Sequence, residues 1–325
     1  MTVARCTPPL SGRARAHRRV AAGTLAGLLV AALLAGDVPD PRRTADASPS
    51  GAGGDPAPRP GAATASPPVP PTPIPVPRPP DTLPVIDYRP APGGFPRDPD
   101  PMSTVRLGEG LRPVRRVAVY DAPGGHPRAY LTPTISGVEV TVPVVDRRSG
   151  WVAVLLPSAN RTIGWVPPGP WTTVVLRDLV VVDRVARRLH WYRDDRRVAS
   201  WPVSVGTRST PTPLGRTFVL GRSAPPSRVY ADTEVFALGA VPEDPDALPT
   251  GLRGAHIGLH AWYRDADLGR SNSNGCIRIT RSAQRRLLAE LEPGTELLVL
   301  DRFTAPQRLP GPPAPDRSSD RPEPR

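Results

Sequence analysis

The sequence predicts a mainly β protein, with a small all-β domain over residues 103–171 and a larger β domain over residues 174–303. In the first region, short runs rich in valine, isoleucine and tryptophan recur at near-regular spacing between turn residues, which favours a small barrel. In the second, apolar residues alternate, as Val203 and Val205 do, which is typical of a half-buried strand. After Thr280 the apolar spacing becomes helical until a Pro-Gly pair, so one clear helix is expected there.

Two Gly-Trp-Val segments mark the first domain. They centre on Trp151 and Trp165, and the pair resembles bacterial SH3-like domains, which occur beside cell-wall enzymes. The resemblance implies an SH3-like β-barrel. We expect both tryptophans to be core residues of that barrel rather than a platform for a ligand.

The remaining segments differ in composition from the two β domains. Residues 1–36 combine an Arg-rich start with the apolar run Val20–Gly36, the pattern of a signal peptide or a signal anchor, and both interpretations stay open. Residues 37–102 form a Pro/Ala-rich stretch that predicts a disordered linker, and residues 304–325 predict a disordered tail. The chain is therefore expected to be exported to the cell envelope or wall, with contact to the membrane only through an N-terminal anchor.

The charge is strongly positive, yet it does not indicate nucleic-acid binding. All 42 basic residues are arginine, the net charge is +12, and the arginines are spread along the chain, with five of them in the leader. On an exported protein, such charge favours contact with an anionic envelope. No nucleic acid, cofactor or metal is predicted.

One cysteine lies in the part of the chain expected to be exported. Cys6 belongs to the leader, whereas Cys276 follows the polar run Ser-Asn-Ser-Asn-Gly, and His260 precedes it by 16 positions. A thiol beside glycine, with an imidazole near it in sequence, is what thiolate acyl transfer requires. A buried cysteine that fills a core is the alternative, and the polar flank argues against it.

The neighbouring residues supply the other groups that this chemistry needs. A free thiol is mostly neutral near pH 7, so an imidazole must take its proton, and a thiolate–imidazolium pair is the expected result. His256 and His260 alternate with apolar residues and would share one face of a strand. The N–H groups of Gly275 and Cys276 are candidate donors to the oxyanion of a tetrahedral intermediate. Arg278 either fixes this loop or attracts a substrate carboxylate.

At this point three separate elements resemble the signature of the YkuD-type L,D-transpeptidases. They are Ile257-Gly258-Leu259-His260 with Leu268-Gly269-Arg270 and Ser273-Asn274-Gly275-Cys276-Ile277-Arg278; the upstream run from Thr210 to Phe218; and Phe236-Ala237-Leu238-Gly239. The resemblance covers about residues 174–303. Ala261 stands where that family usually has glycine, and Asn274 replaces the second histidine of its Ser-His-Gly-Cys run.

The resemblance implies a β-sandwich-like catalytic domain that forms 3→3 cross-links between peptidoglycan stem peptides. Cys276 would be the nucleophile and His260 its base, with Gly275 at the oxyanion. Ser273, Asn274, Arg278 and His256 would support the site or bind substrate. Carbapenem-type β-lactams would acylate the same thiol. Such an enzyme contributes to peptidoglycan biosynthesis, cell-wall biogenesis and cell shape.

Other functions remain open at this level. Water in place of the acceptor amine would make the protein an L,D-carboxypeptidase. A degenerate second domain would leave a non-catalytic wall-binding protein. A zinc hydrolase is the third alternative, because His256 and His260 with nearby aspartates or Cys276 could hold a metal, although Gly258 between them disfavours a helix.

Overall fold

A computed structural model describes residues 73–88, 91–158, 161–224, 228–239 and 257–310. It is mainly β, as predicted, and its helix follows Cys276. The predicted leader, the first part of the linker, the end of the tail and His256 lie outside the described residues. In the part of the chain that is described, no helix is both long and apolar enough to cross a membrane.

The first β region forms a seven-stranded antiparallel sheet in the order β3-β2-β8-β7-β6-β1-β9, together with a small β4-β5 hairpin. Its strands are β1 (Glu109–Pro113), β2 (Val117–Tyr120), β3 (Pro127–Leu131), β4 (Thr134–Ile135), β5 (Val138–Glu139), β6 (Val142–Arg148), β7 (Trp151–Leu155), β8 (Ile163–Val166) and β9 (Trp171–Val175). Trp151 and Trp165 are both buried in the core of this sheet, as expected. Its SH3-like character stays a prediction.

The Pro-rich segment before β1 packs against this sheet instead of remaining disordered. Ile86 and Phe95 are buried in the same core, and the Ile86 N–H donates to the Tyr130 carbonyl at 2.8 Å. The prediction of a disordered linker is therefore wrong for residues 73–88 and 91–102. The prediction was based on the high proline content of the segment. A few spaced apolar side chains are nevertheless enough to pack an extended segment against the sheet.

The second β region forms an eight-stranded mixed sheet in the order β12-β11-β10-β19-β14-β15-β16-β18, beside a two-stranded pair of β13 and β17. Its strands are β10 (Asp178–Asp183), β11 (Arg188–Arg193), β12 (Arg196–Pro202), β13 (Val205–Gly206), β14 (Gly215–Ser223), β15 (Val235–Leu238), β16 (Gly258–Ala261), β17 (Ser271–Ser273), β18 (Ile277–Ile279) and β19 (Glu296–Leu300). Two strand pairs in this sheet are parallel, β10 with β19 and β16 with β18. The second of these pairs carries the cysteine and the histidine.

Helix α1 (Arg281–Glu290) packs on one face of the second sheet. Thr280 is its N-cap, as predicted, and the Thr280 hydroxyl accepts the Ala283 N–H at 3.2 Å. Leu287 and Leu291 are fully buried against the sheet, so the helix holds the end of β18 in place.

The opposite face of the second sheet is covered by the start of the predicted tail. Leu309 is buried with Tyr192, and the Tyr192 hydroxyl donates to the Pro306 carbonyl at 2.9 Å. The tail prediction is therefore wrong for residues 304–310, because the exposed apolar side of the sheet needed a cover that composition alone does not reveal.

The two β regions share buried contacts. The first sheet continues through β9 to residue 175, past the predicted boundary at 171. Phe218 and Leu220 of the second region join the core of the first. Asp98 and Arg216 form an ion pair in which both side chains are at least 95% buried. The first region thus packs directly on the second.

Candidate active site

Parallel pairing of β16 with β18 brings the predicted cysteine and histidine together. Leu259 is opposite Ile277 and His260 is opposite Arg278, and Cys276 directly precedes Ile277, the first residue of β18. Paired residues of neighbouring strands share a face of the sheet, so His260 and Arg278 lie on the same face. His260 and Cys276, 16 positions apart in sequence, therefore lie on and directly before two adjacent strands.

Gly258 lies close both to the neighbouring strand and to the imidazole of His260. A β-carbon at that position would lie 3.8 Å from His260 Cδ2 and 3.3 Å from a backbone oxygen of the neighbouring strand. The imidazole therefore leans along β16 toward Gly258.

The hydrogen bond at Nδ1 fixes the tautomer of His260. Nδ1 lies 2.8 Å from the Ala261 carbonyl oxygen, and a carbonyl can only accept, so Nδ1 carries the proton. Nε2 is left with its lone pair, which is the form a general base requires. The family's usual glycine at 261 is not needed for this bond, because it uses a backbone oxygen.

Burial keeps His260 neutral. The side chain is 2% exposed, and desolvation lowers its pKa to about 4; the nearby Arg278 charge lowers it further, while the bond to Ala261 opposes the shift. The lowered pKa favours a neutral ring at rest, whereas the sequence suggested a thiolate–imidazolium pair.

Two aromatic side chains that sequence reasoning missed enclose the imidazole. The Tyr230 ring meets His260 edge-on with centroids 4.8 Å apart, and Trp262 lies 6.1 Å away at a tilt. Trp262 donates to Asp267 through its indole N–H at 3.1 Å, which fixes its plane. The position of Trp262, two residues after His260 on a strand, could have indicated a shared face; nothing near Tyr230 gave such a signal.

The loop that carries the cysteine turns at Gly275, whose φ of +102° is a conformation that glycine adopts readily. Thr212 is buried beneath it: its hydroxyl donates to the Gly275 carbonyl and accepts the Gly206 N–H, both at 2.9 Å. Within the residues described, the Gly275 N–H donates to no acceptor. Gly275 thus combines a fixed carbonyl with an available donor.

Ser273 closes the other side of the loop. Its buried hydroxyl donates to the Cys276 carbonyl at 2.5 Å, and its own carbonyl accepts from the Thr207 N–H at 3.0 Å. Cys276 is itself 6% exposed, and it lies outside the apolar cluster that buries Ile277 and Ile279. The thiol is thus buried although its flank is polar, and it is not a member of that apolar cluster.

Arg278 contacts the cysteine loop, which agrees with the first of the two roles considered for it, fixing that loop. One guanidinium nitrogen donates to the Asn272 carbonyl at 3.1 Å, and the group stacks over the Trp262 ring at 3.5 Å. Asn274 is partly buried at the loop tip. His256, the remaining predicted residue, lies outside the described part of the chain.

No three His, Cys, Asp or Glu side chains among the described residues lie close enough together to hold a metal ion. The three elements noted in the sequence do converge: β15 holds Phe236–Leu238 beside β16, and Thr212 binds the cysteine loop.

Comparison with known proteins agrees with this convergence. Residues 177–299 match a family model described as YkuD, the L,D-transpeptidase catalytic domain. The chain is 25% identical over 142 residues to a putative L,D-transpeptidase YkuD of Bacillus licheniformis, covering 44% of this chain and 76% of that one.

Solved structures are similar more weakly. An L,D-transpeptidase from Mycobacterium smegmatis aligns with 16% identity over 49% of this chain and 77% of its own, at a TM-score of 0.31. An L,D-transpeptidase solved in complex with imipenem aligns with 13% identity over 49% of this chain and 90% of its own, at a TM-score of 0.32. Both scores are below 0.5.

Proposed function

Since residues 177–299 carry a YkuD-type L,D-transpeptidase catalytic domain, we propose that the protein forms 3→3 cross-links in peptidoglycan through a thioester on Cys276, with His260 as general base. The proposal is supported above all by the parallel pairing that sets Cys276 beside the strand of a neutral His260 whose Nδ1 proton is already committed.

The first half-reaction begins with a stem tetrapeptide. The Cys276 sulfur attacks the carbonyl carbon between the third residue and the terminal D-alanine, while the thiol proton moves to Nε2 of His260. Because burial lowers the pKa of His260, proton transfer accompanies formation of the carbon–sulfur bond. The Gly275 N–H is the donor that we propose for the developing oxyanion.

The tetrahedral intermediate then collapses. The carbon–nitrogen bond to D-alanine breaks, and the His260 Nε2 proton passes to the leaving amine, which gives the thioester and a neutral ring. An amine of a neighbouring stem attacks the thioester next, loses its proton to Nε2, and the sulfur leaves and recovers that proton. The cycle needs no group besides those that the loop and β16 supply.

The setting proposed for this reaction is outside the cytoplasm, at the cell wall, since the substrate is wall peptide and the leader has the pattern of an export signal. Stem peptides are the proposed substrate, and carbapenem-type β-lactams are the proposed inhibitors because a strained lactam carbonyl can acylate the same sulfur.

Intact-mass measurement with a carbapenem tests the proposal. The full-length chain carrying Cys6→Ser has Cys276 as its only thiol, and it should gain one carbapenem mass. The Cys6→Ser, Cys276→Ser chain should gain none. Absence of an adduct on the first protein, or an equal adduct on both, would refute Cys276 as the nucleophile.

Incubation with a stem tetrapeptide and an acceptor stem then identifies the reaction. Cross-linked product in excess of tripeptide supports transpeptidation, whereas tripeptide alone would identify a carboxypeptidase. Binding to isolated wall without any product or adduct would identify a non-catalytic wall-binding protein.

A further inference from the structure

A basic pocket lies beside the loop 207–212 that supports the cysteine. It has a volume of about 480 Å³, which falls within the range of sites for small organic ligands rather than single ions. Three guanidinium groups, those of Arg184, Arg187 and Arg208, line it together with the apolar side chains of Val185 and Val205.

The charge of this pocket is not neutralised by the protein. Asp301 also lines it, and Arg184 binds that carboxylate at 2.5 Å, which consumes one positive charge. Arg187 and Arg208 are exposed, and among the described residues neither guanidinium group has a hydrogen-bond or carboxylate partner. A guanidinium does not lose its proton in a protein, so two positive charges face the same cavity.

The pocket is connected to the cysteine loop by direct hydrogen bonds. Arg184 donates to the Thr212 carbonyl at 2.8 Å, and the Thr212 hydroxyl in turn donates to the Gly275 carbonyl. Ser271 at the pocket wall pairs with Val205 and begins the strand that leads to Cys276. A ligand in the pocket would therefore contact the loop 207–212, which is hydrogen-bonded to the loop that carries the nucleophile.

We propose that this pocket, named here the Arg187/Arg208 pocket, binds a carboxylate-bearing, partly aliphatic segment of the stem-peptide substrate. Guanidinium forks match carboxylate oxygens in a bidentate manner, and the valine side chains accept methylene groups. A cavity of this size next to the cysteine loop fits an amino-acid residue better than an isolated anion. The inference rests on the proposed function, and it adds a specificity site that lies outside the nucleophile and its base.

Binding measurements on a chain that cannot turn over test the pocket. The background is the full-length Cys6→Ser, Cys276→Ser protein, titrated calorimetrically with a stem tetrapeptide whose carboxylates are free and with its fully amidated counterpart. Arg187→Gln with Arg208→Gln should weaken binding of the free peptide by about tenfold or more, since a charge-assisted bond contributes about 1.5–3 kcal/mol. Binding of the amidated peptide should be weak and unchanged by these substitutions.

The control replaces two exposed arginines elsewhere, Arg115→Gln with Arg285→Gln, which removes the same charge. If the control loses as much affinity as the pocket variant, the effect is due to the change in net charge alone, and the proposal is overturned. Equal affinity of the pocket variant and its background for the free peptide would also overturn it. A third result would overturn the proposal: inorganic phosphate binds saturably and loses affinity on the pocket substitutions, yet does not displace the peptide. The pocket would then bind phosphate and not the peptide.

The carbapenem experiment separates this inference from the proposed function. The pocket substitutions in the Cys6→Ser chain leave Cys276 and His260 intact, so an adduct should still form. An adduct with unchanged peptide affinity would refute the pocket alone, whereas loss of any adduct from the parent chain would refute the function. Unchanged thermal unfolding of the variants establishes that they are folded.

Discussion

Thr212→Val isolates the hydrogen bonds that hold the cysteine loop. The change is nearly isosteric and removes the hydroxyl that joins the Gly206 N–H to the Gly275 carbonyl, both at 2.9 Å. Gly206 and Gly275 are buried, so valine leaves one donor and one acceptor without partners. Each unsatisfied buried group costs about 1–3 kcal/mol, and we expect a loss of about 2–4 kcal/mol in the free energy of unfolding.

The same change should slow acylation of Cys276, because Gly275 is then free to rotate away from the oxyanion. Urea denaturation gives the stability, and the rate of carbapenem adduct formation gives the activity. Thr173→Val is the matched control: Thr173 is exposed on β9, where the same substitution should change stability by less than about 0.5 kcal/mol. If Thr212→Val and Thr173→Val behave alike in both assays, Thr212 does not position the loop.

Three further predictions concern buried charges. Burial raises the pKa of Glu296 to about 7, so its contribution to the free energy of unfolding is full below the unfolded pKa near 4.5 and is lost as pH rises toward 7. Relative to Glu296→Gln, the native chain should lose about 1.4 kcal/mol of stability per pH unit between pH 5 and 6.5 in urea titrations. Parallel stability curves for the two proteins would contradict this. His260→Gln should show the opposite sign, since the lowered pKa of about 4 means that His260 costs stability as pH falls from about 6.5 toward 4; a native chain that gains stability on acidification relative to the variant would disprove it. Asp98→Asn leaves Arg216 buried without its carboxylate and should cost about 3–5 kcal/mol, with partial recovery on adding Arg216→Met; a negligible loss would mean that residues 91–102 do not pack as described.

The sequence was sufficient where local chemistry decides the structure. Thr280 before a helical repeat gave the N-cap, because a hydroxyl at that position satisfies a helical N–H whatever surrounds it. Alternation around His260 correctly predicted a strand, β16, whereas the shared face of His256 and His260 stays a prediction because His256 lies outside the described residues.

Contacts between distant segments could not be predicted in this way. Tyr230 reaches His260 from another part of the chain, and no periodicity connects the two. Burial, which lowers the His260 pKa, also depends on the assembled site, so the sequence around an isolated imidazole gave no sign of this shift. The linker and tail predictions failed for a related reason. Ile86 and Leu309 are single apolar residues in polar, Pro-rich runs, and each is buried only because it packs against a sheet formed by distant segments.

The most direct measurement is capture of the acyl-enzyme from a natural donor. The Cys6→Ser chain is mixed with a stem tetrapeptide, quenched in acid within seconds, and digested for peptide mass spectrometry. The proposal predicts a tripeptide joined to the fragment that contains Cys276, release of one D-alanine for each adduct, and loss of the adduct on treatment with hydroxylamine. D-alanine release that persists in Cys276→Ser, or an adduct on any other residue, would contradict it.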